Sequence, residues 1–147
     1  SINFIRFYRN NINDMSSMFN RCKSLKEIHF SCFNTKNVKY MQSMFEKCLS
    51  LKQLDLSTFN TKNVINMAAM FYKCYALEEL NLSSFNTNNV ENMYSMFSLC
   101  HSLKELNISS DFNINEGTSV SNMLLGCSSF IKNKFITLFP NTKEKAF

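Results

Sequence analysis

The chain has 147 residues, 45% hydrophobic and 14% aromatic, which is ample for a packed core and excludes a disordered segment. No apolar run approaches the ~20 residues that cross a bilayer, and Ser1 to Arg6 is too short and polar for a signal peptide. The net charge of +5 sits at the ends: residues 1–26 carry five Arg or Lys against Asp14, residues 131–147 four Lys against Glu144, and the middle seven against nine acids, so the basic stripe of a nucleic-acid binder is missing.

The opening Ile2-Asn-Phe4-Ile-Arg-Phe7-Tyr-Arg-Asn-Asn11-Ile12 has the spacing of Leu54-Asp-Leu56-Ser-Thr-Phe59-Asn-Thr-Lys-Asn63-Val64. The chain is therefore expected to begin on a strand with no linker before it. It lacks an initiator Met and opens inside a repeat, as a fragment of a longer array would. From there Met15-x-x-Met18-Phe19-x-x-Cys22-x-x-Leu25-x-x-Ile28-x-Phe30 leads into Phe33-Asn-Thr-Lys-Asn37-Val38, and the pattern restarts at Met41, Met67 and Met93. Cysteines 22, 48, 74, 100 and 127 are separated by 26, 26, 26 and 27 residues, and phenylalanines 33, 59, 85 and 112 by 26, 26 and 27, the extra residue being assigned to Asp111. A fixed period in this range, with one helical and one strand-like segment per unit, marks stacked units that share a core.

Within a unit, Val64, Met67, Met70, Phe71 and Cys74 fall at i, i+3, i+6, i+7 and i+10, one stripe of a short amphipathic helix. Asn60, Thr61 and Asn63 stand ahead of it as candidate caps. The Leu80-x-Leu82 alternation reads as a strand with both leucines inward, and Phe85 closes the coil. Strands centred on Ile28–Phe30, Leu54–Leu56, Leu80–Leu82 and Leu106–Ile108 are expected to form one parallel sheet, with helices on the opposite face.

Phe59-Asn-Thr-Lys-Asn-Val64, Met67-x-x-Met70-Phe71-x-x-Cys74 and Leu77-x-x-Leu80-x-Leu82-Ser83 together resemble the 26-residue repeat of the BspA-like leucine-rich repeat surface proteins over residues 2–130. The resemblance implies an α/β fold: a curved leucine-rich repeat solenoid of about five coils, with a parallel sheet on one face and short helices on the other. It also implies a cell-surface or secreted location and a role in adhesion and recognition of a protein or glycoprotein partner, with a structural spacer array as the alternative.

The last unit departs from the pattern. Phe112-Asn-Ile-Asn-Glu-Gly117 loses the Phe-Asn-Thr signature, Gly117 stands where Val stands elsewhere, and Met123-Leu124 replaces Met-Phe. Asn133 falls where an inward Leu belongs, Phe135-Ile-Thr-Leu-Phe139 reads as one closing strand before Pro140, and the Lys-rich end as solvated. The chain divides accordingly into a repeat array over 1–130 and a C-terminal cap and tail over 131–147.

No catalytic or metal-binding set recurs inward, and no cofactor is expected. His29 reads as an outward strand residue and His101 as a surface residue after a cysteine. A spacing of 26 is a repeat length rather than a zinc signature, so the cysteine column reads as reduced packing residues, with Cys32, off the column, as the accessible thiol. Asn34, Asn60, Asn86 and Asn113 are expected to form a ladder of stacked amides. Tyr40, Tyr72 and Tyr94 share no column and read as scattered surface aromatics. Asn81-Leu-Ser83 and Asn107-Ile-Ser109 match the glycosylation pattern but lie within expected strands. The positions that the repeat leaves free on the strands are Glu27, Gln53, Glu79 and Glu105, and His29, Asp55, Asn81 and Asn107; these two polar rows are the candidate binding surface.

Overall fold

The computed structural model describes residues 1–3, 11–31, 33–142 and 146–147. Among the described residues it is a mixed α/β fold with five short parallel strands: β1 (Ile2–Asn3), β2 (Ile28–His29), β3 (Gln53–Asp55), β4 (Glu79–Leu82) and β5 (Glu105–Ile108). They are followed by one helix, α1 (Ser129–Leu138), and a 3-10 turn at Pro140–Thr142. The strands pair at the repeat distance, Leu54 beside Leu80 and Leu80 beside Leu106, so equivalent residues of successive units stand side by side. The alternation holds: Leu54, Leu80, Leu82 and Leu106 are buried while Gln53, Asp55, Glu79 and Glu105 are exposed.

The single sheet expected from the sequence is two. β1 pairs with β2, β4 pairs with both β3 and β5, and β2 is not paired with β3. The break coincides with Phe30, where the next two units carry Leu56 and Leu82. Its ring packs edge-on against Phe19, Phe33, Phe45 and Phe59, with centroids 5.0–6.0 Å away. A side-chain bond from Thr58 Oγ1 to the Phe30 carbonyl, 3.1 Å, spans the gap.

The predicted helix of each unit is absent. From Met67 to Cys74 the chain makes consecutive turns, closed by bonds of Met70, Tyr72 and Cys74 amides to the carbonyls three residues earlier. Two residues per unit adopt left-handed φ, Ala69 (54°) and Lys73 (60°) here, and their counterparts Ser43 and Lys47, Ser95 and Leu99 do the same. A turn with its third residue at positive φ cannot propagate as an α-helix. The physical gain lies in the remaining amides. Those of Met67, Ala69, Phe71 and Lys73 donate to the carbonyls of Asn92, Tyr94, Met96 and Ser98 in the next unit at 2.8–3.0 Å. A helix of this length would bond only to itself and be marginal; the turns bond each unit to its neighbour. The helical phase still named the right inward residues, since Val64, Met67, Met70, Phe71 and Cys74 are fully buried.

The core is built in columns. Phe19, Phe45, Phe71 and Phe97 stack at 5.4, 5.9 and 5.7 Å with planes within 15°. Buried Thr35, Thr61 and Thr87 each donate to the carbonyl, and accept from the amide, of Asn60, Asn86 and Asn113 in the following unit. The ladder expected of the asparagines thus runs through the threonines, whose hydroxyls both donate and accept inside the core. Asn34, Asn60 and Asn86 instead accept from the amide two residues on and pin their own turns. A second file of asparagines, Asn63, Asn89 and Asn115, bonds the carbonyls of Lys36, Lys62 and Asn88 one unit back.

The closing strand expected at Phe135–Phe139 lies instead in and just after α1. Ser128 caps the helix, its hydroxyl accepting from the Ile131 amide, and Ile131 and Phe135, four residues apart, turn into the core. Among the described residues no parallel neighbour flanks this stretch, and a helix satisfies its own amides where a strand would not. In the last unit Gly126 (φ 73°) occupies the second left-handed position, where a Cβ would lie 2.7 Å from Leu99 Cδ2, so only glycine fits without a shift.

Candidate binding surface

Of the eight polar strand positions, six are brought together by the β3–β4–β5 register. Gln53, Glu79 and Glu105 form one row and Asp55, Asn81 and Asn107 the next. They border a shallow depression of about 260 Å³ on the exposed face of this sheet. Glu27 precedes β2 but reaches the same region across the sheet break, where it lines a larger cleft of about 700 Å³ with Gln53 and Glu79. His29 is exposed on β2, beside Asn3 in the two-stranded sheet, apart from the three-stranded one.

The rows are not equally available. Gln53 Nε2 donates to Glu79 Oε1 at 2.8 Å, joining two members of the first row. Asp55 and Asn81 accept from the amides of Ser57 and Ser83 at 2.9 and 3.1 Å, holding the turns that end their strands. The side chains of Glu105 and Asn107 have no partner among the described residues. The cleft adds a charged column that the repeat pattern alone does not single out: Lys26, Lys52 and Glu78, with Lys104 bonding Glu78 at 2.9 Å and holding its carboxyl below the usual range. The signal that could have found it is its place in the repeat, as the residue preceding Glu27, Gln53, Glu79 and Glu105.

The five described cysteines are free thiols. Cys48, Cys74, Cys100 and Cys127 each donate to the carbonyl of the preceding unit's phenylalanine, Phe19, Phe45, Phe71 and Phe97, at 3.1–3.2 Å. Burial pushes the Cys48 thiol up to about 12 and Cys127 to about 11, and raises Cys74 and Cys100 as well. Cys22 is half-buried, and Cys32 lies outside the described residues. His101 stacks on Tyr75 at 5.4 Å with Nδ1 2.8 Å from the Gly126 carbonyl. Among the described residues no three His, Cys, Asp or Glu side chains converge as a metal ion requires, and no helix is long and apolar enough to cross a membrane.

The parallel strands, the 26-residue register and the columned core define a repeat protein of mixed α/β structure. Two stretches, residues 3–105 and 55–143, match the family described as "Mycoplasma protein of unknown function, DUF285", and the chain belongs to that family. The two matches begin two repeat lengths apart, as expected when one pattern can be laid on the array in more than one register. No curated protein and no solved structure matches the chain.

Proposed function

We propose that the units form a leucine-rich repeat solenoid of the BspA-like kind, displayed at a cell surface or secreted, whose exposed sheet face binds a protein or glycoprotein partner without catalysing a reaction. The observation that carries this reading is the pair of in-register polar rows, Gln53–Glu79–Glu105 and Asp55–Asn81–Asn107. Polar side chains that the core does not constrain are held there at strand spacing on a repeated frame, which is how repeat arrays build extended contact surfaces. Glu105 and Asn107, unengaged at one end of the rows, are the expected anchors.

The test is capture from a surface-glycoprotein extract by the chain and by its Glu79→Lys, Glu105→Lys double variant. A partner retained by the parent and lost by the variant, with both thermal midpoints equal, supports the reading. Equal capture by both proteins removes the site from the sheet face, and capture by neither leaves the spacer role in its place.

A further inference from the structure

β5 is an edge of the three-stranded sheet, and α1, which follows it, is a helix that adds no strand there. The repeat register tells which groups of β5 are left open. Leu56 donates its amide to the Asn81 carbonyl of the following unit at 3.0 Å, so its place in the unit faces forward. Ile108 holds that place in β5, in register with Leu82, and among the described residues no strand lies in front of it. Leu106 and Ile108 therefore turn their amides and carbonyls away from β4, as alternate residues of a parallel strand do. Of these four groups only the Leu106 carbonyl has a forward partner among the described residues, Lys134 Nζ at 2.6 Å.

Along this edge runs a groove of about 550 Å³ between β5 and α1, lined among others by Asn107, Ile108, Ser109, Lys134, Leu138 and Phe139. Its volume lies within the ~300–1,000 Å³ of ligand sites. The helix side is apolar, with Leu138 49% exposed and Phe139 half-buried. Lys134 is the one charged residue among its described lining, and it has no acidic partner among the described residues. An ammonium carries three hydrogens, and the Leu106 carbonyl takes one. Lysine on an edge strand also keeps strands from joining. Here it engages Leu106 alone and leaves the amide and carbonyl of Ile108 open. The groove thus specifies three features of its occupant: an extended backbone, an apolar side chain and a carboxylate.

We propose that this groove takes an extended acidic peptide segment of a partner protein, its backbone bonded to Ile108, an apolar side chain on Leu138 and Phe139, and an Asp or Glu carboxylate on Lys134. This is strand addition at a sheet edge, in which the backbone supplies affinity and the pocket specificity. The groove shares only Asn107 with the depression between the polar rows, so binding here and binding on the sheet face fail separately. The probe is a fluorescently labelled, end-capped peptide of residues Leu77–Ser84, whose Glu79–Leu82 part pairs with the other edge of β5 in the fold. Anisotropy titration with the full chain should show saturable binding. Replacing both glutamates of the peptide by glutamine should weaken it about tenfold, as loss of a hydrogen bond to a charged group does. Lys134→Gln should weaken it to a similar extent while still donating to Leu106. Leu138→Asp, at an exposed position that leaves the thermal midpoint unchanged, should abolish it, and Glu79→Lys in the chain should leave it as it is. Absence of saturable binding overturns the proposal, as does equal affinity for the glutamine peptide or of the Lys134→Gln chain, or binding that survives Leu138→Asp and is lost in Glu79→Lys.

Discussion

The two walls of each unit are bonded to their neighbours by different means. On the strand wall the ladder among the described residues is short and interrupted: two residues per strand in the first sheet, three or four in the second, and no strand pairing between them. On the turn wall, four amides of each unit from Met15 to Leu99 donate to the next, and the bridges Asp14–Tyr40–Asn66–Asn92–Ser119 run through without a break. The irregular-looking wall is thus the continuous one. Its left-handed residues forgo a helix's internal bonds and gain rungs between units, while the strand wall is left free to vary its outward side chains.

The sharpest way to break this comparison is to remove a core residue from each wall. Phe71→Ala removes the ring between Phe45 and Phe97 and should cost about 3–5 kcal/mol by denaturant unfolding, against about 2–5 for Leu80→Ala. A Phe71 loss clearly smaller than the Leu80 loss would contradict a dominant turn wall.

The threonine column gives a polar version of the same test. Thr61→Val keeps the shape but deprives the Asn86 amide and carbonyl of their partner, and should cost about 1–3 kcal/mol. Asn60→Ala removes only a local turn bond and should cost less. A reversed order would return the ladder to the asparagines.

The cysteines sharpen the comparison through pH. Their folded-state values lie above the ordinary thiol value of 9.0, so folding favours the protonated form. This contribution is complete below about 9 and is lost as pH rises through about 11 to 12. Unfolding midpoints should therefore fall across that window, and a thiol reagent should modify half-buried Cys22 well before Cys48, Cys74 and Cys100. Equal rates for these four would show the column to be open.

The smallest effect carries an informative sign. Ala69→Gly at φ 54° should stabilise the fold by up to about 1 kcal/mol, because relief of the left-handed strain exceeds glycine's entropy loss. In the helix that the sequence pattern suggests, the same change would destabilise by about 1 kcal/mol. Thermal unfolding of this variant distinguishes the two conformations.

What was legible in the sequence was the period, the residues that face inward and the polar positions that face out, because burial repeats with the chain and leaves its mark on every unit. Met67, Met70, Phe71, Cys74, Leu80 and Leu82 are buried as their spacing requires, and Gln53, Glu79 and Glu105 come into one row because pairing at the repeat distance superposes equivalents. The conformation of the Met-Phe-Cys stretch was not legible, since spacings of three and four residues serve consecutive turns as well as a helix; the choice rests on carbonyls 25 residues away that accept the free amides. The same holds at the end of the chain. Phe135 packs inward from α1 rather than from a strand, because what decides between them is whether a neighbour stands beside the backbone, and only the tertiary structure supplies or withholds that neighbour.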